Sequence, residues 1–377
     1  MVSYLVSLVI FTAVYAIFSL GLNLQWGFTG LINFGHVAFM TVGAYTTVLL
    51  SNAGLPLIVA ALLGGGLAAF LGLLIGFSTL RLREDYLAIV TIGVSEVIRL
   101  VALNEEWLTR GAFGIQRFAL PLENFRPTLL SRYAMIAILT VIVGLVYWQL
   151  WKWARRRFQK TGTIADIGLL LTALGAALGL WLYGICAIAL YNFSDNPARN
   201  GLMLVSVIVL ALVFWRLEVL VHSPWGRVLK AIREDEEVAK ALGKNVFWYK
   251  LQSLMLGGFI AGIAGALFAW QLSTVYPENF LPLLTFNAWT IVVLGGAGNN
   301  AGTLLGTVIF WAYMTITRDL PRLLELLHSL IPVIPPTIDD ARLGAFRIML
   351  IGLILIVLMM ARPQGILGKK EELTLGR

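Results

Sequence analysis

Cysteine is all but missing from this 377-residue chain: Cys186 stands alone, which rules out a disulfide framework and a cysteine-built metal site. Histidine is nearly as scarce, and His36, His222 and His328 are scattered, which argues against a histidine-rich metal centre. Charged residues make up only 13% of the chain, against 59% hydrophobic residues and a mean hydropathy of +0.85. That balance excludes a soluble globular protein of this length and points to a polytopic membrane protein. Enzyme signatures are missing too. HExxH and GxSxG do not occur, and no paired-carboxylate motif occurs beyond the acidic run Glu234 to Glu237, so no convergent nucleophile, base or metal-ligand set is offered. The phosphate-binding loop GxxxxGK[ST] is also absent, since Gly243 and Lys244 lack the upstream glycine and the following Ser or Thr. The chain carries no equipment of its own for hydrolysing ATP. The net charge of +8 does not imply nucleic acid, because Lys and Arg cluster in short loops beside apolar runs, as the positive-inside rule requires.

What is present is a succession of apolar runs long enough to cross a bilayer as helices. They lie near Tyr4 to Leu22, Phe28 to Leu50, Leu55 to Leu80, Tyr86 to Leu103, Tyr133 to Trp151, Ile164 to Tyr191, Leu202 to Val221, Leu251 to Thr274 and Phe346 to Met360. The expected fold is therefore all-α, a single transmembrane domain over 1–377 with about nine full spans. No Lys or Arg precedes Arg81, so the basic n-region of a cleaved signal peptide is missing and the first run reads as a retained span. Four basic segments fix the orientation: Arg81 and Arg83; Lys152, Arg155, Arg156, Arg157 and Lys160; residues 223–250; and Arg362, Lys369, Lys370 and Arg377. With all four on the cytoplasmic side, the N-terminus is outside and the C-terminus cytoplasmic. The region Phe286 to Thr317 must then enter and leave by the same face. Gly295, Gly296, Gly298, Asn299, Asn300 and Gly302 break it into two pieces, so it reads as a re-entrant hairpin or a pair of short helices. Irregular backbone at membrane depth needs protein around it or a wet cavity beside it, so the tip either lines a transport route or serves close helix packing. Of the outer loops, 104–132 is mixed and polar, and Leu323 to Leu330 is expected as a short surface helix.

Polar residues inside apolar sequence supply the other candidates. Asn23, Asn33 and His36 lie among several glycines, and Asn33 and His36, three apart, would share one face of a helix. They, with Gly295, Gly296 and Gly298, are candidates for a translocation path, against a purely structural role in interhelical hydrogen bonding. Glu96 and Arg99, also three apart, read as an internal ion pair, because a charge within a span is tolerated chiefly when paired. Glu218, beside Arg216, is expected to snorkel toward the aqueous edge.

The longest strongly charged stretch is Ser223 to Lys250, SPWGRVLKAIREDEEVAKALGKNVFWYK. Ser223 before Pro224 is a helix start, Asp235 starts a second helix with Glu236 and Glu237 at its positive end, and Gly243 suits the position after its last turn. Two short helices bent around Arg233 to Asp235 follow, with Val238, Ala239 and Leu242 expected on one face and an i,i+4 pair between Glu236 and Lys240. From spacing alone this is either a solvated linker or a docking element.

Several blocks in order resemble one family. They are Asn23 to Leu50, Arg83 to Leu100, Thr109 to Ile115 (TRGAFGI), the AIREDEEVAKALGKN core, Val292 to Gly306 (VVLGGAGNNAGTLLG) and Arg362 to Gly368 (RPQGILG). Together they look like the Liv-type permease subunits of ATP-binding-cassette importers for branched-chain and related amino acids. The resemblance implies a multi-pass subunit of the bacterial inner membrane. It also implies a second permease subunit, two ATPase subunits that carry ATP and Mg, and an external solute-binding protein, with no cofactor on this chain. In that pattern Ala231, Arg233, Glu234, Asp235, Glu236, Ala239, Leu242 and Gly243 belong to the cytoplasmic coupling loop that docks on the ATPases. Residues 127–197 depart from the pattern as an inserted two-span hairpin, which preserves orientation. Urea and neutral amino acid permeases share the same blocks. A secondary transporter or channel would instead show inverted repeats and intramembrane charges placed for ion coupling, and only Glu96 and Arg99 are of that kind.

Overall fold

A computed structural model describes residues 2–80, 84–161, 167–318, 340–361 and 364–368. The expected surface helix at 323–330 and the basic residues Arg81, Arg83, Arg362, Lys369, Lys370 and Arg377 lie outside the described residues. Among the described residues the regular structure is all-helical apart from one two-residue bridge. The longer helices are α1 (Val2–Asn23), α2 (Val37–Asn52), α3 (Leu57–Thr79), α4 (Glu84–Asn104), α6 (Leu129–Thr161), α7 (Ile167–Tyr191), α8 (Pro197–His222), α11 (Val246–Leu272), α12 (Leu283–Gly295), α13 (Asn300–Arg318) and α14 (Asp340–Ala361). A single turn, α5 (Glu106–Thr109), follows α4, and two short helices, α9 (Pro224–Glu234) and α10 (Glu236–Ala241), join α8 to α11.

Among the described residues six helices are long and apolar enough to cross a membrane: 2–28, 57–79, 86–104, 129–149, 197–222 and 246–272. The expected count of nine is not confirmed among them, and the expected run Ile164 to Tyr191 extends into residues outside the described ones. The second expected span fails for a physical reason: α1 runs on as a π-helix over Leu24–Phe28, residues 30–35 leave the helix, and α2 has only 16 residues. Gly30, at φ 82°, marks the exit, a conformation open to glycine and costly elsewhere.

Helix α11 is the hub, packed on α1, α2 and α3. Its approach to α2 depends on small residues: a Cβ at Gly43 would lie 2.2 Å from the Gly262 carbonyl oxygen, so any side chain there would push the helices apart. With lipid on the outside there is little hydrophobic drive between helices, and close packing supplies the attraction instead. Elsewhere, α6 and α7 pack on each other, and α7 reaches α1. A short antiparallel bridge between β1 (Ile115–Gln116) and β2 (Thr274–Val275) pins the loop after α4 to the end of α11.

Candidate functional site

The charged stretch folds as two helices. Ser223 caps α9 by accepting from Gly226 N–H, and Pro224 occupies its first turn. Asp235 ends it in extended backbone, φ −156°, and its carboxylate caps α10 by accepting from the N–H groups of Glu237 and Val238 at 2.9 and 3.0 Å. Gly243, at φ 75°, closes α10 while its N–H and that of Lys244 bond back to Lys240 and Ala239. The Glu236–Lys240 pair forms at 3.0 Å. Glu236 also receives Lys250 Nζ at 2.5 Å, tying α10 to the base of α11, where Lys250 is buried. Burial works against the Glu236 carboxylate, but hydrogen bonds from Lys250 and Lys240 outweigh it and hold its pKa below the ordinary 4.5.

One face was expected to hold Val238, Ala239 and Leu242 together, and the structure divides it. Ala239 is buried against Ile232 and Val246, while Val238 and Leu242 are 54% and 72% exposed. Ala231, Glu234, Asp235 and Gly243 are exposed as well.

Inward from this loop, Arg233 Nη1 donates to the Gly27 carbonyl in the π-helix, and Lys230 lies over the Phe28 ring. Gly27 is wedged: a Cβ there would sit 2.1 Å from Asn23 Oδ1 and 2.4 Å from Gly298 N. Asn23, fully buried, accepts from Gly298 N–H at 2.9 Å and donates to Asn300 Oδ1 at 3.2 Å. Asn300 in turn donates to Glu218 at 3.1 Å, so Glu218 does more than reach for the edge. A continuous set of contacts therefore runs from α9 to the glycine-rich tip.

That tip joins two helical pieces, Pro277–Gly295 and Asn300–Arg318, bent by 116°, in agreement with a pair of short helices. Gly295 lies against α13, where a Cβ would come 2.0 Å from the Gly302 carbonyl oxygen. Gly296, at φ 110°, turns the chain. Residues 364–368 cover the tip: the N–H groups of Ile366 and Leu367 bond the last carbonyls of α12 at Leu294 and Gly295, and Asn299 donates to Leu367 O. Nothing in the spacing of RPQGILG indicated this contact.

Asn33 and His36 do not share a helix face, because Asn33 lies in the non-helical segment before α2. Asn33 donates to Gln25 at 2.9 Å and accepts from Gly35 N–H, while Trp289 Nε1 bonds its carbonyl. His36 is wholly buried between the Phe18 and Phe39 rings, with Nε2 3.2 Å from Phe18 O. The Glu96–Arg99 pair forms through two hydrogen bonds, 3.0 and 2.5 Å. Gln25, Thr29 and Ser253 were missed. They are buried and linked, Thr29 to Ser253 at 2.7 Å and Gln25 to Leu254 O at 3.1 Å, and the rule that polar groups in apolar sequence face partners would have found them.

Residues 4–359 match the family described as branched-chain amino acid transport system / permease component. The chain belongs to this family. It is 30% identical over 362 residues to the high-affinity branched-chain amino acid transport system permease protein LivM of Escherichia coli, covering 94% of this chain and 68% of that protein. It is 25% identical to the probable branched-chain amino acid transport permease protein LivM of Methanocaldococcus jannaschii, covering 96% of this chain and 92% of the relative. LivH of Salmonella typhimurium, a permease protein of the same kind of system, is 24% identical over 78% of this chain. No solved structure matches it. As a family member the chain is a multi-pass transport permease rather than an enzyme.

Proposed function

We propose that this chain is the permease subunit of an ATP-driven importer that carries branched-chain or other neutral amino acids delivered by an external solute-binding protein. The LivM-type similarity along nearly the whole chain supports that substrate class over nucleosides or fructose, whose permeases match only 34% and 40% of it. The single observation that carries the mechanism is the run of contacts from α9 through Arg233, Gly27 and Asn23 to Gly298.

In this reading the chain lies in the inner membrane with its N-terminus outside and its C-terminus cytoplasmic. Residues 223–250 form the coupling loop and 127–197 an inserted two-span hairpin that departs from the family pattern. It pairs with a second permease subunit of the LivH kind. Two ATPase subunits bind ATP and Mg and press on the side of α9 and α10 that carries Ala231, Glu234, Val238 and Leu242. Movement of α9 pulls the Gly27 carbonyl, and the π-helix gives because its backbone bonds already depart from the regular α pattern. Asn23 carries that motion to the tip of the α12–α13 hairpin, and the route opens beside it. The two arrangements must differ in free energy when the ATPases bind, or no transport follows.

The test uses the assembled transporter in proteoliposomes. Glu234→Ala and Gly243→Val are expected to insert normally, to leave ATP hydrolysis running and to cut leucine uptake. Normal uptake in both variants rejects the coupling site. Competition among leucine, alanine, glutamine and urea identifies the substrate, and inhibition by urea alone rejects the amino acid reading.

A further inference from the structure

Glu96 stands one residue beyond the midpoint, residue 95, of the apolar stretch Tyr86–Asn104. Its side chain is nonetheless 38% exposed, and that of its partner Arg99 is 16% exposed. The same side of α4 is open along its length: Ile89, Gly93 and Val97 are exposed, and a Cβ built at Gly93 meets nothing within 4 Å. An ion pair at mid-span facing hydrocarbon is costly, so charged groups at this depth face protein or water. The surroundings add polar groups. The 3-10 turn Pro277–Phe280, which carries Glu278, packs beside α4. Tyr45 of α2, beside the same turn, is 6% exposed, and its hydroxyl has no hydrogen-bond partner among the described residues.

We infer that this side of α4 faces a water-filled route, and that Glu96, Arg99 and Glu278 hold a zwitterionic amino acid by its ammonium and carboxylate groups. The inference rests on the amino acid import proposed above. Arg99 spends Nε and one Nη on Glu96, leaving other donors in its fork, and an ionised carboxylate accepts at more sites than the two used here. The substrate's carboxylate takes the guanidinium, and its ammonium takes Glu96 or Glu278. A zwitterion adds no net charge, so the existing pair exchanges partners without leaving an unpaired charge in the span. An uncharged amide such as urea gains little from the same groups.

The experiment uses the complete transporter in proteoliposomes. Cys186 is buried, so an engineered cysteine reacts against a low background. Gly93→Cys places a thiol one helical turn from Glu96, and Val97→Cys repeats the test with a side chain that is already 59% exposed. A membrane-impermeant methanethiosulfonate reagent should modify both. Leucine with the binding protein should slow modification by about tenfold, as for a site occupied some nine-tenths of the time. Urea should not protect, and adding Glu96→Gln should abolish protection by leucine. Failure of the reagent to reach either thiol means that the face is covered by lipid or protein, and it overturns the inference. Modification without leucine protection, in a transporter that imports leucine, overturns the binding site and leaves the import reading standing. A wild-type transporter that imports no amino acid overturns both.

Discussion

Replacing Asn23 by alanine removes a side chain that hydrogen-bonds the end of α1 to the hairpin tip. The variant loses the bond accepted from Gly298 N–H, 2.9 Å, and the bond donated to Asn300, 3.2 Å. Asn23 is fully buried and Asn300 is 3% exposed, so water does not readily replace either bond. A buried group left without its partner costs about 1–3 kcal/mol. Gly298 is only half-buried and Asn300 keeps its bond to Glu218, which sets the sum near the lower end, roughly 2–3 kcal/mol for two bonds. In a chain of this size that corresponds to a fall of roughly 2.5–4 °C in the midpoint of thermal unfolding. The assay is a melting curve of the purified chain in detergent, run beside uptake in proteoliposomes. Uptake should fall further than stability alone accounts for, since in the proposed cycle the side chain also carries motion. A melting point within about 1 °C of wild type, which is under roughly 0.8 kcal/mol, refutes the bridging role.

Two further outcomes test the loop. Leu242→Ser, which changes a side chain 72% exposed, should weaken association with the ATPase subunits by about tenfold, or roughly 1.4 kcal/mol, while leaving the melting point unchanged. Pull-down of the ATPases at graded concentration checks it. The Glu236 pairs should make the loop pH-dependent: the folded pKa lies below 4.5, so their stabilisation is present above pH 4.5 and fades as pH falls from there through the folded value. On the alkaline side, Lys240 is raised by its bonds to Glu236 and Glu237, so its contribution holds below 10.5 and is lost only above that. Glu236→Gln should remove the acid-limb dependence and lower stability by roughly 1–3 kcal/mol, between an exposed and a buried pair, because Lys250 is buried while Glu236 is 35% exposed. Melting curves from pH 3.5 to about 7 read both effects.

The parts of this fold that were readable in the sequence are those governed by local rules. Ser223, Pro224, Asp235 and Gly243 announce two capped helices because caps and left-handed turns depend on residues one to three positions apart. The break at 296–299 was visible because clustered glycines interrupt an apolar run. The second expected span went astray where hydropathy is blind to geometry: Phe28 to Leu50 is apolar enough, yet residues 30–35 are non-helical chain held by Gln25, Thr91 and Trp289. The division of Val238 and Leu242 from Ala239 also required knowing where α11 lies. Long-range contacts such as Arg233 to Gly27, Lys250 to Glu236 and residues 366–367 over α12 leave no periodic trace, because each joins segments whose spacing along the chain is arbitrary.

Arg233→Met bears on the proposed transmission of ATPase motion through Arg233 to α1 and the hairpin. Methionine keeps the length and the apolar stem but cannot donate to the Gly27 carbonyl. With ATP hydrolysis and leucine uptake measured in the same proteoliposomes, the account predicts hydrolysis within about twofold of wild type and uptake reduced by about tenfold or more, so that ATP is spent without import. Hydrolysis and uptake that stay in their wild-type ratio would contradict it.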